Sequence, residues 1–341
     1  MKKYNIAVVG ATGMVGTKFL EVLEEKKLPV ENYYLFASAK SAGKVINFMN
    51  KDHVVIELTD DNIKALKGKC DIALFSAGGA TSARFAPVFA QMGTVVIDNS
   101  AQWRMHDDVP LVVPEVNPQD IDWHHNIIAN PNCSTIQAML ALKPLHDKYG
   151  LKRVVYSTYQ AVSGAGVAGY NDLLEGLKAF VNNEEYKTKK FPYQIANNCI
   201  PHIDVFLDNG YTKEEMKMVW ETKKILGDQS IKVTATTVRV PVLNSHSESI
   251  NLEFNKPATL EGIIEALKGQ EHLVIVDDVK NNIYPMPIDS TGHDEVFVGR
   301  IRMDDTVDSG CNLWVCADNI RKGAASNAVQ IAEYMINHNK I

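Results

Sequence analysis

Through the first hundred residues, short apolar runs alternate with stretches of helical period. Residues 5–9 (NIAVV) predict a strand, and 16–28 place Phe19, Leu20, Leu23 and Leu28 at mostly helical spacing. Further strands are predicted at 33–38 (YYLFAS), 54–58 (VVIEL), 70–78 and 94–100, with a helix over 81–93 closed by Gly93. Strands separated by helical segments predict an α/β fold with a Rossmann-type, doubly wound parallel sheet.

The pattern changes near residue 130. Residues 134–150 form a strong amphipathic period, in which Pro144 should kink the helix or mark a late turn. Runs at 153–162, 232–242, 248–254, 273–278, 295–301 and 312–318 have strand character with longer connections, and the polar stretch 182–190 predicts a surface loop. This suggests an α+β second domain with a mixed, partly antiparallel sheet. The chain closes on a helix with Ala325, Val329, Ala332 and Met335 along one stripe.

A length of 341 residues suits about two domains, and 45% hydrophobic with 22% charged residues is ordinary globular usage. A net charge of −6 argues against nucleic acid or an anionic membrane as partner. No apolar run reaches the roughly 18–20 residues of a membrane span. The start is basic and then apolar, like a signal peptide, but glycines break the run early, so it is taken as a first strand. Five cysteines without framework spacing suit a reduced, cytoplasmic protein.

Gly10, Gly13 and Gly16 follow the first strand and open a helix, a G-x-x-G-x-x-G variant of the dinucleotide fingerprint. An NAD site usually has an acid at the end of the second strand. Residues 37–44 offer none, but carry Lys40, Lys44, Ser38 and Ser41, which suits the 2′-phosphate of NADP. Cys133 follows an Asn-rich lead-in at a predicted helix start, where the helix dipole favours a thiolate. The other four cysteines are taken as structural. His246 is the attractive acid/base among ten histidines, and Arg239, set in an apolar strand, needs a carboxylate from protein or substrate. No CxxC, HExxH or other ligand cluster supports a metal.

These blocks resemble the aspartate-β-semialdehyde dehydrogenase family nearly end to end. The similarity runs through GATGMVG at 10–16, SAGG at 76–79, DNS at 98–100, PNCST at 131–135 and QAVSGAG at 160–166. It continues through QIANNCIPHID at 194–204, ETKK at 221–224, the segment 239–246 and DNIRKGAA at 318–325. The resemblance implies NADPH-dependent reduction of L-4-aspartyl phosphate to L-aspartate-4-semialdehyde and phosphate. The pathway implied is lysine, diaminopimelate, threonine, methionine and isoleucine synthesis. It further implies Cys133 as thioester nucleophile with Asn132 beside it, His246 as acid/base and Gln160 as orienting group. Arg239 would clamp the α-carboxylate, Glu221 meet the amino group, and Arg104 and Lys224 hold phosphate. Gly10, Thr12, Gly13, Met14, Val15, Lys40, Ser41, Ser76, Ser163, Gly164 and Asn319 would contact NADP, with lysine at 40 where many relatives have arginine. The implied domains are 1–132 for NADP, 133–318 for catalysis and dimerisation, and 319–341 as a helix returning to the NADP domain. The implied assembly is a homodimer that can associate into a tetramer. Two alternatives are an N-acetyl-γ-glutamyl-phosphate reductase and a non-catalytic nucleotide-sensing protein on the same fold.

Overall fold

The apolar runs of the N-terminal region become β1 (Tyr4–Val9), β2 (Val30–Ala37), β3 (Val45–Phe48), β4 (Lys51–Val54), β5 (Ile56–Glu57), β6 (Ile72–Phe75), β7 (Val95–Asp98) and β8 (Ile127–Ala129). Between them lie α1 (Met14–Lys26), α2 (Asp60–Lys64) and α3 (Gly79–Gln91). The computed structural model describes residues 2–341, and its contacts divide the chain into two units. The first joins the residues up to Asn132 with Ala324–Ile341; the second is Cys133–Gly323.

In the first unit six strands form one sheet, ordered β5-β2-β1-β6-β7-β8, with every pairing parallel. The near-continuous Ile, Val, Leu and Phe content of β1, β6 and β7 fits strands covered on both faces. The single strand expected at 54–58 is instead split. Val54 ends a β3–β4 hairpin, and only Ile56–Glu57 joins the large sheet beside β2. The C-terminal helix, Ser326–Asn337, packs its Ala328, Val329, Ala332 and Met335 stripe into this core beside Ile97 and Leu23.

The second unit begins with α4 (Cys133–Tyr149), followed by β9 (Leu151–Gln160), α5 (Gly166–Asn182), α6 (Lys213–Leu226), β10 (Lys232–Arg239), β11 (His246–Phe254), α7 (Leu260–Lys268), β12 (Leu273–Ile275), β13 (Val296–Met303) and β14 (Gly310–Ala317). The helix α4 runs through Pro144 and ends only at Tyr149, so the expected late turn is absent. The six-stranded sheet is ordered β10-β9-β11-β14-β13-β12. It is parallel at both edges and antiparallel between β9, β11, β14 and β13. Cross-strand register aligns Arg239 with Gln160, and His246 with Ala317. The boundary expected before Asn319 falls instead after Gly323. Asn319 stays with the second unit because its Oδ1 accepts from the Ser245 N–H at 2.9 Å and from Ser163 Oγ at 3.1 Å.

Candidate active site

The first strand meets α1 at the point where the sheet order reverses, with β2 on one side of β1 and β6 on the other. Such switch points are where open α/β sheets bind ligands. Gly10 has φ of +88°, and a Cβ there would lie 2.3 Å from the Ser76 carbonyl oxygen after β6. A Cβ at Gly16 would lie 1.9 Å from the Gly10 carbonyl oxygen, so this glycine lets helix and strand close on each other. Gly13 is exposed and caps α1 without a side-chain hydrogen bond, and no acid occupies the first turn. Its backbone N–H groups and positive dipole end therefore suit a pyrophosphate. Thr12 Oγ1 approaches Ser41 Oγ at 3.4 Å, bringing the loop beside Ser41 and the exposed Lys40 at the end of β2. The donor set fits a dinucleotide.

In the second unit, Cys133 is the first residue of α4 and only partly buried. Gly323 lies against it; a Cβ at 323 would be 2.9 Å from that of Cys133. A cavity of about 410 Å³ opens at the thiol and is lined also by Gln160, Glu214, Lys217, Arg239 and Phe191. Gly164 lines it too, and a Cβ there would meet Arg239 Nη1 at 3.1 Å and His246 Nε2 at 3.4 Å.

A capping box starts α6: Thr212 Oγ1 accepts from the Glu215 N–H, and the Glu215 carboxylate accepts from the Thr212 N–H. The other oxygen of Glu215 accepts from the Thr237 N–H at 3.0 Å and ties the helix start to β10. Glu214 is thereby fixed in the first turn, where the dipole favours a carboxylate. It accepts from Gln160 Nε2 at 3.1 Å and from Lys217 Nζ at 2.9 Å. Lys217 also donates to Asp204 at 2.8 Å. Burial opposes its charge, but the Glu214 and Asp204 carboxylates outweigh it and hold the ammonium above its usual range.

His246 is fully buried, and the Ala161 N–H donates to its Nδ1 at 3.0 Å. Burial, reinforced by the Arg239 charge, brings it down to about 3. A neutral imidazole that accepts at Nδ1 must carry its proton on Nε2. Gln160 holds its amide so that Thr158 Oγ1 donates to Oε1 at 3.1 Å and Nε2 serves Glu214. The 3.4 Å approach of Gln160 Nε2 to His246 Nε2 then sets two donors side by side, which leaves the imidazole N–H for another acceptor.

The structure gathers Cys133, Gln160, Gly164, Arg239 and His246. It does not bring Glu221 and Lys224 to this cavity, which Glu214 and Lys217 line instead. The acid and the lysine each lie seven residues later on α6, which keeps the helical phase but displaces them by about 10 Å along the axis. The signal available in sequence was the Thr212/Glu215 box, which dates the helix start and puts Glu214 in its first turn. Ser163 and Asn319, expected at the cofactor, are buried and bonded to each other. Arg104, in the first unit, donates to the carbonyls of Asn130 and Asn99 at 2.9 and 3.0 Å; Asn132 is buried there. Cys70, Cys311 and Cys316 are buried, and burial pushes the first two up to about 12. Cys199 is exposed, contrary to a packing role, because it lies on a loop before the Ile200–Arg239 bridge. Among the described residues no cluster of His, Cys, Asp or Glu could hold a metal, and no helix is long and apolar enough to cross a membrane.

Residues 5–124 match the family model for the semialdehyde dehydrogenase NAD binding domain, and 142–322 that for the semialdehyde dehydrogenase dimerisation domain. The aspartate-semialdehyde dehydrogenase of Aquifex aeolicus is 57% identical over 336 residues, 98% of each chain. The chain belongs to the aspartate-semialdehyde dehydrogenase family. Another member of the family, from Campylobacter jejuni, is 51% identical over 97% of each chain. Among solved structures, aspartate semialdehyde dehydrogenase II from Vibrio cholerae superposes with a TM-score of 0.95 at 48% identity, covering 98% of this chain and 99% of that one. A second structure of the Vibrio enzyme is a complex with ASA. The Candida albicans enzyme with NADP has a TM-score of 0.77 at 28% identity, over the whole of both chains.

Proposed function

We propose that this chain reduces L-4-aspartyl phosphate to L-aspartate-4-semialdehyde, releasing phosphate, through a thioester on Cys133. The observation that carries this reading is one cavity shared by a helix-terminal thiol, a buried arginine and a carboxylate–lysine pair. NADPH, when bound on the glycine loop, supplies the hydride. The chain's own groups manage charge and protons. Cys133 Sγ bonds to C4 of the acyl phosphate and the C–O bond to phosphate breaks, helped by the α4 dipole. The Nε2–H of His246 donates toward the substrate oxygen where negative charge develops, and the C4–Sγ bond breaks again to free the semialdehyde and return the thiolate. Arg239 takes the α-carboxylate, Glu214 the ammonium, and Lys217 the phosphate; these last two replace Glu221 and Lys224 in the assignment. A carboxylate in the cavity suits a free amine and disfavours an acylated one, which separates this substrate from N-acetyl-γ-glutamyl phosphate. Lys40 and Ser41 support NADP over NAD, and the dimerisation-domain match supports a homodimer. The reaction serves lysine, threonine, methionine and diaminopimelate synthesis. Measured in reverse, NADP reduction by aspartate semialdehyde should require inorganic phosphate; no phosphate-dependent turnover would refute the proposal.

A further inference from the structure

We propose that Phe191, held in place by Asp172, is the wall that sets how long a substrate chain the cavity accepts. The inference rests on the reading above, in which Arg239 takes the carboxylate end of a four-carbon substrate bonded at Cys133.

Phe191 lines the same cavity as Cys133, Gln160 and Arg239. Its ring centre lies 5.9 Å from the Arg239 guanidinium carbon, within cation–π range, so ring and cation restrain each other. The ring is seated over Gly169 of α5, where a Cβ would come within 3.0 Å of Phe191 Cζ and 2.8 Å of the Val162 carbonyl oxygen. Leu173, Ile195 and Ile200 belong to the small core it packs on. A flat apolar group is thus wedged between a helix and the cation that would bind the substrate's carboxylate.

The segment carrying Phe191 has no helix or strand of its own. Asp172, only 1% exposed on α5, supplies the missing order. Its carboxylate accepts from Tyr186 Oη at 2.6 Å and from the backbone N–H groups of Lys189, Lys190 and Phe191 at 3.0, 3.1 and 3.1 Å. Burial pushes the carboxyl up, but these four donors outweigh it and hold it below the usual carboxylate range. Bonds to an ionised acceptor are about twice as strong as neutral ones. An asparagine at 172 keeps one accepting oxygen and loses the other, so part of the segment's anchorage goes with it. Asp172 is therefore a positioning residue that acts through Phe191.

With C4 fixed at Sγ, one added methylene drives the carboxylate, and Arg239 with it, toward the ring. A packed apolar wall discriminates one methylene by roughly 10–200-fold. The test compares 4-oxobutanoate with 5-oxopentanoate, which differ by one methylene and lack the amine through which longer amino aldehydes cyclise. Phosphate-dependent NADP reduction is measured for wild type, Phe191→Ala, Phe191→Leu and Asp172→Asn, with aspartate semialdehyde as reference. The four- over five-carbon ratio of kcat/KM should fall about tenfold in Phe191→Ala, and less in Phe191→Leu and Asp172→Asn, mainly through KM. The rate of Cys133 alkylation by iodoacetamide should stay at the wild-type value. An unchanged ratio in both Phe191 variants, with alkylation intact, would overturn the wall. A wild-type enzyme without phosphate-dependent turnover of aspartate semialdehyde would instead overturn the reading on which it rests.

Discussion

The backbone N–H of Ala161 donates to Nδ1 of His246 at 3.0 Å, and this one bond decides which imidazole nitrogen faces the chemistry. With Nδ1 occupied as an acceptor, the neutral ring presents Nε2–H. Because burial and Arg239 bring the group down to about 3, it stays neutral throughout the working range. Nitrogen-15 NMR of labelled enzyme should show a protonated Nε2 with no titration of this histidine between about pH 5 and 8.

The same shift makes folding stability depend on pH. The folded chain resists protonation of His246, whereas the unfolded chain takes up a proton near 6.5. Stability from this group is therefore complete above about 6.5 and is lost as pH falls toward about 3. His246→Gln should lose kcat by roughly 10²–10⁴-fold. Its melting temperature should also fall less steeply than that of wild type on acidification, as scanning calorimetry would show.

Glu214 and Glu221 share a helix face but not a site. Glu214→Gln should raise KM for aspartate semialdehyde at least tenfold, about 1.4 kcal/mol, by removing the ammonium's counter-charge. Glu221→Gln should leave KM within twofold. Steady-state kinetics on the two variants separates them, and the reverse pattern would restore Glu221 to the substrate.

Glu248 lies fully buried two residues beyond His246 on β11, and neither carboxyl oxygen has a hydrogen-bond partner among the described residues. Burial raises it well above the usual carboxylate range, so the fold favours its neutral form over the charged one. The unfolded chain ionises near 4.5, and stability from this group is present below that and lost as pH rises. Glu248→Gln should raise the melting temperature by a few degrees near pH 8 and by much less near pH 5.

Gly323 leaves no room for a side chain, since a Cβ would sit 2.9 Å from that of Cys133. Gly323→Ala should cut kcat by tenfold or more and slow iodoacetamide labelling of Cys133, while NADP binding by fluorescence titration stays near wild type.

Most of the fold was legible because its strands and helices follow simple periods. The parallel sheet follows from apolar runs alternating with helical segments, and the C-terminal helix from its alanine-rich stripe. One local expectation failed, and one of two alternatives for another fell away, each for a local reason. Val54 went to a hairpin because the 54–58 run holds only five residues and can be shared between two partners. Pro144 was absorbed by a helix whose buried face runs on to Leu145 and Tyr149. In the site, Cys133, Arg239 and His246 stood out because their chemistry is conspicuous in their surroundings, whereas Gln160 came only with the family resemblance. Glu214 and Lys217 did not, because a second acid and lysine recur seven residues on and only the helix start tells the turns apart. Phe191 and Asp172 were hidden altogether, since hydrogen bonds from a loop backbone leave no pattern in a sequence.

A covalent intermediate on Cys133 can be trapped by rapid mixing without phosphate. Enzyme saturated with NADP and mixed with aspartate semialdehyde should form NADPH in a burst of about one per active site, then stop. Mass spectrometry of the quenched protein should place one aspartyl group on Cys133, and added phosphate should release it and restore turnover. Sustained NADPH formation without phosphate, or a burst that survives Cys133→Ala, would contradict the account.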